Sequence, residues 1–486
     1  MRRAWFLVLA AVLAASRFAH LHILWTEEDL PLAAALQMLR GRMLYRDVWF
    51  DKPPLVPTVY LLWGAETGWP LRAAGALFAI AACWLLYRFA RELWGEDEGR
   101  LAACLLGFFL IFGIPSALLP LAADSLTLVP HIAAVYLAWR GRPLWSGATA
   151  GLAFLFNAKA VFVLLACLGW QYRSAGWLLA GFAIPNAAAL GWLAATGALR
   201  DWYEQVWWLG ALYARSTFVS NPLREGALRT VNWIGFHAAL VAGAAWFFAR
   251  ERKTGRLPFA LWGVAALASV AGGWRFFPRY YLALLPLAAL AAARGLALLG
   301  KRRAVVVLLL LLVPLARFGS RYALLARDLA QGRQTQWNDI AMDQASRAAA
   351  GFITARAHPG DTLFVWGYRP DLYAYTRMPA ATRFLESQPL SGVFADRHLF
   401  ASAAVAPEWA ARHRAELARS RPDFVVDGLA AFNPALAITA YPDLRPWLAQ
   451  YREAGRAGSA VIYTLAKATR EPDGTSIGQR EKKGRR

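Results

Sequence analysis

The chain has 486 residues, of which 58% are hydrophobic and only 17% are charged, and its formal net charge is +22. A soluble chain of this length is about a quarter charged. The low charged fraction and the long apolar runs therefore indicate a polytopic membrane protein. The arginines are dispersed and carry no recognition motif, which disfavours nucleic acid as a partner and favours short cytoplasmic loops beside anionic lipid. The three cysteines lie in apolar runs and predict buried residues rather than disulfides or a metal site.

The N-terminal segment combines a basic start, an apolar core and small residues, which is also the pattern of a signal peptide. Apolar character resumes at Leu21 and many apolar runs follow, so we favour an uncleaved first span. At roughly 20 apolar residues per helical span, the sequence predicts about eleven spans, give or take about two. The predicted spans are 4–24, 70–90, 101–118, 122–139, 143–157, 159–172, 176–196, 230–249, 257–273, 279–299 and 303–319. Two short runs meet at Asn157–Lys159 and could form a hairpin that does not fully cross.

The positive-inside rule gives this set of spans an orientation. With a cytoplasmic N-terminus, basic turns such as Arg140–Arg142 and Lys301–Arg303 fall inside, and residues 25–69 form the first outside loop. The outer face still carries cations against the rule, and an anionic ligand on that face would explain them. These cations are Arg40, Arg42, Arg46, Lys52, Arg215, Arg224, Arg275 and Arg279.

After residue 320 the long apolar runs stop, and the sequence predicts a small extracytoplasmic α/β domain over residues 321–466. Segments 361–368, 423–428 and 459–466 have the composition of short strands. Segment 407–420 predicts a helix with proline in its first turn. The basic, polar tail 467–486 is predicted to be disordered.

Three consecutive carboxylates, Glu27, Glu28 and Asp29, follow the first span and precede a segment with helical spacing that could lie flat at the membrane interface. Lys52, ahead of two prolines, would return to the same surface. The simplest explanation of the triplet is a helix N-terminus, where carboxylates offset the dipole. That role explains one carboxylate well and three together poorly, so the triplet also predicts a catalytic acid.

The stretch "EEDLPLAAALQMLRGRMLYRDVWFDKPPL" resembles the first-loop signature of bacterial GT-C glycosyltransferases, the group that contains protein O-mannosyltransferases and lipid A aminoarabinose transferases. Aligned on Gly41 and on the Lys52-Pro-Pro turn, the resemblance places the catalytic aspartate of the family on Glu27 and its following acid on Glu28. Glutamate replaces aspartate here, and Pro31 replaces a tyrosine. Asp29 is an additional acid that supplies the base if the register slips by two residues.

Other motifs match the same family at single positions. Asp124 matches its second-loop acid, which would orient the acceptor or hold a divalent metal, although a helix N-cap is an equal explanation. Lys159 matches a lysine in an apolar hairpin, where a charge is costly unless it has a function. Arg279-Tyr280 matches an aromatic stretch before a late span, and Arg275 stands beside it. These cations, with Lys52, would bind the phosphate of the donor, unless they form an interfacial belt.

The resemblance implies a multi-pass inner (plasma) membrane enzyme that transfers a sugar from a polyprenyl-phosphate donor, with inversion, to a lipid, protein or glycan acceptor. The base would take the proton of the acceptor and the cations would stabilise the departing phosphate. The alternatives are a ligase or polymerase with a diphosphate-linked donor, a transporter or flippase, and a non-catalytic assembly protein. The sequence predicts no certain cofactor, with a divalent metal as an open possibility.

Overall fold

The computed structural model describes residues 4–252, 254–333, 335–336, 340–367 and 369–466. The predicted disordered tail, 467–486, lies outside these residues. The N-terminal two thirds of the described chain are helical. The helices are α1 Ala4–Phe18, α2 Thr26–Leu39, α3 Leu55–Tyr60, α4 Trp69–Leu93, α5 Glu96–Ile111, α6 Pro115–Leu118, α7 Ala123–Trp139, α8 Pro143–Phe156, α9 Val161–Gln171, α10 Ala175–Ala195, α11 Leu199–Trp202, α12 Leu209–Arg215, α13 Pro222–Phe236, α14 Ala238–Arg250, α15 Leu257–Ala271, α16 Leu285–Leu299, α17 Lys301–Leu308 and α18 Leu312–Ala330.

Few of these helices meet a full span length alone. Within the described residues, three helical stretches are long and apolar enough to cross a membrane, namely Trp69–Leu93, Ala158–Ala195 and Lys301–Ala330. A fourth is counted if α13 and α14, which meet at a bend of 92°, form one broken span. The predicted break at Asn157–Lys159 is confirmed, because α8 ends at Phe156 and a 3-10 turn, Ala158–Ala160, precedes α9. The number of about eleven spans and their orientation stay predictions.

Close helix packing depends on small residues. A Cβ added to Gly295 in α16 would lie 1.8 Å from the carbonyl oxygen of Gly243 in α14. A Cβ on Gly181 in α10 would lie 2.0 Å from the carbonyl oxygen of Leu144 in α8. Glycine at such contacts lets two helix backbones approach, as is common in helix pairs within membranes.

The C-terminal region contains helices and one mixed sheet. Its elements are α19 Ala341–Thr354, β1 Leu363–Trp366, α20 Asp371–Thr376, α21 Gln388–Ser391, α22 Pro407–Leu417, β2 Phe424–Asp427, α23 Arg445–Leu448, β3 Tyr451–Ala457 and β4 Ala460–Leu465. The sheet order is β1-β2-β4-β3, with β1 and β2 parallel and the other pairs antiparallel. The register places Phe424 opposite Leu363 and Thr464. Three strands and α22 match the predicted segments, whereas β3 was not predicted.

The C-terminal region and the segment of residues 25–69 share one hydrophobic core. Leu32 and Leu36 of α2 are buried with Trp366 of β1 and Leu372 of α20 in the same cluster. The leucines of α2 are therefore covered by the C-terminal region rather than exposed to lipid, and the position of the helix relative to the membrane interface stays a prediction. Arg40 and Arg42, which suggested an anionic ligand, donate instead to backbone carbonyls of Arg377, Ala380 and Thr382.

Candidate active site

The three carboxylates after the first span point in three different directions. They occupy the first turn of α2, where successive residues are about 100° apart around the axis. Glu27 faces Arg279, and the Nη1 of Arg279 donates to its Oε1 at 2.5 Å. Both side chains keep partial exposure, 19% for Glu27 and 28% for Arg279. Glu27 is thus the member of the triplet that can meet a substrate.

Glu28 has a structural role. Its carboxylate receives two hydrogen bonds from the Arg72 guanidinium, at 2.6 and 3.0 Å, and one from the amide of Leu121 at 2.8 Å. It also accepts from the amide of Trp25, which caps α2. Glu28 and Arg72 are both almost fully buried. Glu28 therefore ties α2 to α4 and to the segment before α7, and its expected place beside the base as a catalytic acid is corrected.

Asp29 points away from Glu27's partner and toward the C-terminal region. It is buried, and its electrostatic neighbours include Asp371 and Asp343. Burial, reinforced by these carboxylates, holds the pKa of Asp29 well above its usual range. One oxygen of Asp29 has no partner among the described residues. The alternative register, in which Asp29 is the base, is not supported by this placement.

The buried carboxyl groups of Asp29, Asp343 and Asp371 are electrostatic neighbours, and they make the stability of the protein depend on pH. Burial raises the pKa of Asp371 to about 6, against about 3.9 in an unfolded chain. Between these values the folded chain keeps a proton that the unfolded chain loses, so stability falls as pH rises and levels off above pH 6. Asp371→Asn removes this pH-dependent contribution to the free energy of unfolding, which is worth up to about 3 kcal/mol. Between pH 4 and 6, the unfolding midpoint of Asp371→Asn should rise relative to that of wild type as pH increases. A difference between the two midpoints that does not change from pH 4 to pH 8 would contradict the raised pKa of Asp371.

A second carboxylate lies on the other side of Arg279. The Nε of Arg279 is 3.5 Å from an oxygen of Asp124, in the first turn of α7. The other oxygen of Asp124 accepts from the side-chain amide of Asn157 at 2.9 Å. Asn157 also accepts from the backbone amide of Lys159, so the break after α8 positions both residues. The sequence showed Asn157 only as a helix break, and its hydrogen bond to Asp124 was missed.

Lys159 completes the group of charges. Its Nζ lies 3.1 Å from the ring centroid of Tyr280, which is a short cation–π contact. The ammonium is buried and has no hydrogen-bond partner among the described residues. Asp124, Asn157, Lys159 and Tyr280 line one small cavity of about 30 Å³. A buried ammonium without an acceptor can bind an anionic group that enters this cavity.

Lys52 and Arg275 have different environments. The Nζ of Lys52 lies 3.3 Å from Asp51, its backbone oxygen accepts from the hydroxyl of Tyr45, and it is an electrostatic neighbour of Asp124. Lys52 is partly exposed and close to the group. Arg275 is fully buried and is bound to Asp396 of the C-terminal region at 2.6 Å. Its guanidinium is occupied by protein oxygens and has no exposed surface, so its predicted role as a phosphate ligand stays a prediction without support from this placement.

A large apolar cavity adjoins this group of charges. It has a volume of about 790 Å³ and lies beneath α13. Pro278 and Leu282, on either side of Arg279-Tyr280 in the chain, line it, and Leu282 also lines the small cavity beside Lys159. Arg229 and Arg317 are its two arginines.

The structure offers no metal cluster: in the described ranges, no three His, Cys, Asp or Glu side chains are grouped to hold an ion. Asp124, the candidate metal ligand, contacts Arg279 and Asn157. Two carboxylates and two cations thus form the centre of the site, namely Glu27, Asp124, Arg279 and Lys159.

The fold and part of the sequence are shared with known proteins. The family model "dolichyl-phosphate-mannose-protein mannosyltransferase" matches residues 51–199. No curated protein matches the chain in sequence. ArnT from Cupriavidus metallidurans bound to undecaprenyl phosphate is similar in structure, with a TM-score of 0.61 and 15% identity over 97% of this chain and 99% of that chain.

Two further solved structures resemble the chain. The apo state of the same ArnT gives a TM-score of 0.56 and 15% identity over 95% of this chain and 97% of that chain. An oligosaccharyltransferase from Archaeoglobus fulgidus gives a TM-score of 0.47 and 14% identity over 91% of this chain and 71% of that chain. The agreement with ArnT over nearly the whole of both chains shows a shared fold.

Proposed function

We propose that this chain is a glycosyltransferase of the GT-C superfamily and that it transfers a sugar from a polyprenyl-phosphate donor to an acceptor at the membrane surface. The observation that carries the proposal is the position of Arg279. Its guanidinium lies between Glu27 and Asp124 and is an electrostatic neighbour of Lys159, and the chain neighbours Pro278 and Leu282 line a cavity of about 790 Å³. A base, phosphate-binding cations and space for a hydrocarbon chain are the parts that this reaction needs.

The reaction balances without a cofactor. An acceptor hydroxyl or amine attacks the anomeric carbon of the sugar, and its proton goes to the carboxylate of Glu27. The bond between the anomeric carbon and the phosphate oxygen breaks, and its electron pair leaves with polyprenyl phosphate. One displacement of this kind inverts the anomeric carbon. Arg279, Lys159 and Lys52 would stabilise the charge that the phosphate gains.

The ion pair with Arg279 would make Glu27 depend on the donor. While the pair is intact, Oε1 of Glu27 accepts from the Arg279 guanidinium at 2.5 Å and does not face an acceptor hydroxyl. A phosphate competes for the guanidinium because it offers several charged oxygens to the same donors. Donor binding would thus draw Arg279 from Glu27 and free the base when the sugar is in place. Asp124 and Asn157 would keep Arg279 beside the phosphate.

The lipid character of the donor has two supports. One is the apolar cavity that Pro278 and Leu282 place beside Arg279. The other is the shared fold with ArnT, whose structure was determined with undecaprenyl phosphate bound. The monophosphate donor is preferred to a diphosphate-linked donor on this basis. A water-soluble nucleotide sugar would leave the cavity without a role.

The test is transfer by the purified protein in lipid nanodiscs. Radiolabelled polyprenyl-monophosphate and polyprenyl-diphosphate sugars, made by membranes of the source cell, are offered with an extract of those membranes as acceptor. We expect label to reach the acceptor from monophosphate donors, with release of polyprenyl phosphate. Transfer from diphosphate donors alone would establish the ligase instead. A folded protein that transfers label from neither donor would contradict the proposal.

A further inference from the structure

Arg275 is a buried cation near the site, and all three nitrogens of its guanidinium donate hydrogen bonds. Its side chain is fully buried, and its Nε donates to Asp396 at 2.6 Å. Its Nη1 donates to the carbonyl oxygens of Tyr213 and Gly273 at 2.9 and 3.1 Å, and its Nη2 to that of Ser216 at 2.8 Å. The guanidinium carbon also lies 3.5 Å from the ring centroid of Tyr213. These contacts, which we call the Arg275 bridge, join three separate parts of the chain.

The backbone on both sides of Arg275 is strained. Trp274 has φ +56° and Phe276 has φ +49°, and neither residue is glycine. Side chains rarely adopt this region, and such residues persist only where surrounding contacts hold them. Those contacts include the bond from Arg229 to the carbonyl oxygen of Arg275 at 2.8 Å and the long bond from Thr217 to that of Trp274. Loss of the Arg275 bridge would allow this segment to relax.

The strained segment leads directly to the active site. Arg279 follows Arg275 by four residues, in the 3-10 turn Pro278–Ala283. The ring of Tyr213 makes a cation–π contact with the guanidinium of Arg275, and Tyr213 is an electrostatic neighbour of Tyr280. Tyr280 in turn supports Lys159 at 3.1 Å. A change at Asp396 would therefore affect Arg279 through the backbone that follows Arg275. It would affect Lys159 through the contacts of Tyr213 and Tyr280.

We propose that Asp396 of the C-terminal region is a positioning residue for the catalytic pair Glu27–Arg279, and that it acts through Arg275. Asp396 touches no reacting atom in this scheme. It neutralises a buried guanidinium whose other bonds set the path of residues 273–279. The inference rests on the proposed function for its catalytic consequence, but the arrangement itself can be tested without activity.

The experiment compares three variants of the full chain in nanodiscs. Asp396→Asn removes the charge, Asp396→Glu keeps it, and Asp443→Asn is the matched control. Asp443 also binds an arginine, Arg414, at 2.6 Å, but within the C-terminal region and away from the site. Hydrogen exchange of residues 276–281, the thermal midpoint, and kcat and KM per mole of folded enzyme are measured for each. The exchange measurement reports the bridge whether or not the protein transfers a sugar.

We expect Asp396→Asn to exchange faster at 276–281 and to lose about 100-fold in kcat/KM, the scale that a misplaced catalytic group produces. The loss in kcat/KM is expected per mole of folded enzyme, below the thermal midpoint, because the folded variant still misplaces Arg279. Asp396→Glu should recover most of both effects, and Asp443→Asn should match wild type.

Two results would overturn the inference. Unchanged exchange at 276–281 in Asp396→Asn would show that the bridge does not position the segment. Faster exchange with an unchanged kcat/KM per mole of folded enzyme would reduce Asp396 to a stability role, since loss of folded enzyme lowers only the concentration of active protein. If wild type transfers no sugar, the proposed function fails, and the exchange result alone decides whether Asp396 positions the pair.

Discussion

Glu27→Gln is expected to lower the rate of sugar transfer by about 10²–10⁴-fold, the range that general base catalysis contributes. The amide keeps the size of the side chain but cannot accept the proton of the acceptor. Donor binding should be retained or strengthened, because Arg279 no longer has a carboxylate at 2.5 Å and is free for the phosphate. Transfer with labelled donor and equilibrium binding of polyprenyl phosphate measure the two effects separately.

Asp29→Asn is the matched control for this prediction. Asp29 lies two residues away in the same helical turn, but it is buried against the C-terminal region. Its amide variant should transfer sugar at nearly the wild-type rate. Full activity of Glu27→Gln, or loss of activity in Asp29→Asn with Glu27→Gln unaffected, would remove Glu27 as the base.

Arg72→Met is expected to destabilise the protein by about 3–5 kcal/mol, because it leaves the carboxylate of Glu28 buried without its counter-charge. Arg72 and Glu28 are 2% and 0% exposed, and water cannot compensate the loss. The midpoint of denaturant unfolding in detergent measures the effect. The double variant Arg72→Met/Glu28→Gln removes both charges and should recover part of the stability.

An exposed ion pair provides the comparison. Arg456 and Glu453 are 2.9 Å apart on β3, with side chains 71% and 43% exposed. Arg456→Met should leave the unfolding midpoint unchanged, because exposed pairs contribute little. If the unfolding midpoint of Arg72→Met is as close to that of wild type as the midpoint of Arg456→Met, the Glu28–Arg72 pair does not hold α2 on α4.

The sequence could identify the acidic triplet but could not divide its roles. The partner of Glu27 is 252 residues away in the chain, and that of Glu28 is 44 residues away. The direction of each side chain depends on where α2 begins, and helix starts are poorly defined by sequence alone. Segment composition was a better guide to β1, β2, β4 and α22, whose apolar residues are locally grouped. The edge strand β3 was missed because only one of its seven residues, Tyr451, is buried and because it contains Gly455.

Arg275 and Arg279 show a limit of a different kind. The two arginines are four residues apart in an aromatic segment, and sequence reasoning gave both the same role. The positive φ values at Trp274 and Phe276 turn the backbone, so one guanidinium enters the protein and the other faces Glu27. No residue type in this stretch other than Gly273 signals such a turn. Asn157 was missed for a similar reason, because its partner Asp124 is distant in sequence.

The core shared by α2 and the sheet has a consequence for biosynthesis. The catalytic helix leaves the ribosome more than 400 residues before β4, which ends at Leu465. At about 5–20 residues per second, roughly 20–90 seconds pass before the sheet that shares the core of α2 is complete. During that time the nascent chain is expected to hold donor lipid poorly and to be inactive. Synthesis of the final strand would therefore be the event that creates the enzyme, so a chain truncated before it would be inserted in the membrane yet catalytically silent.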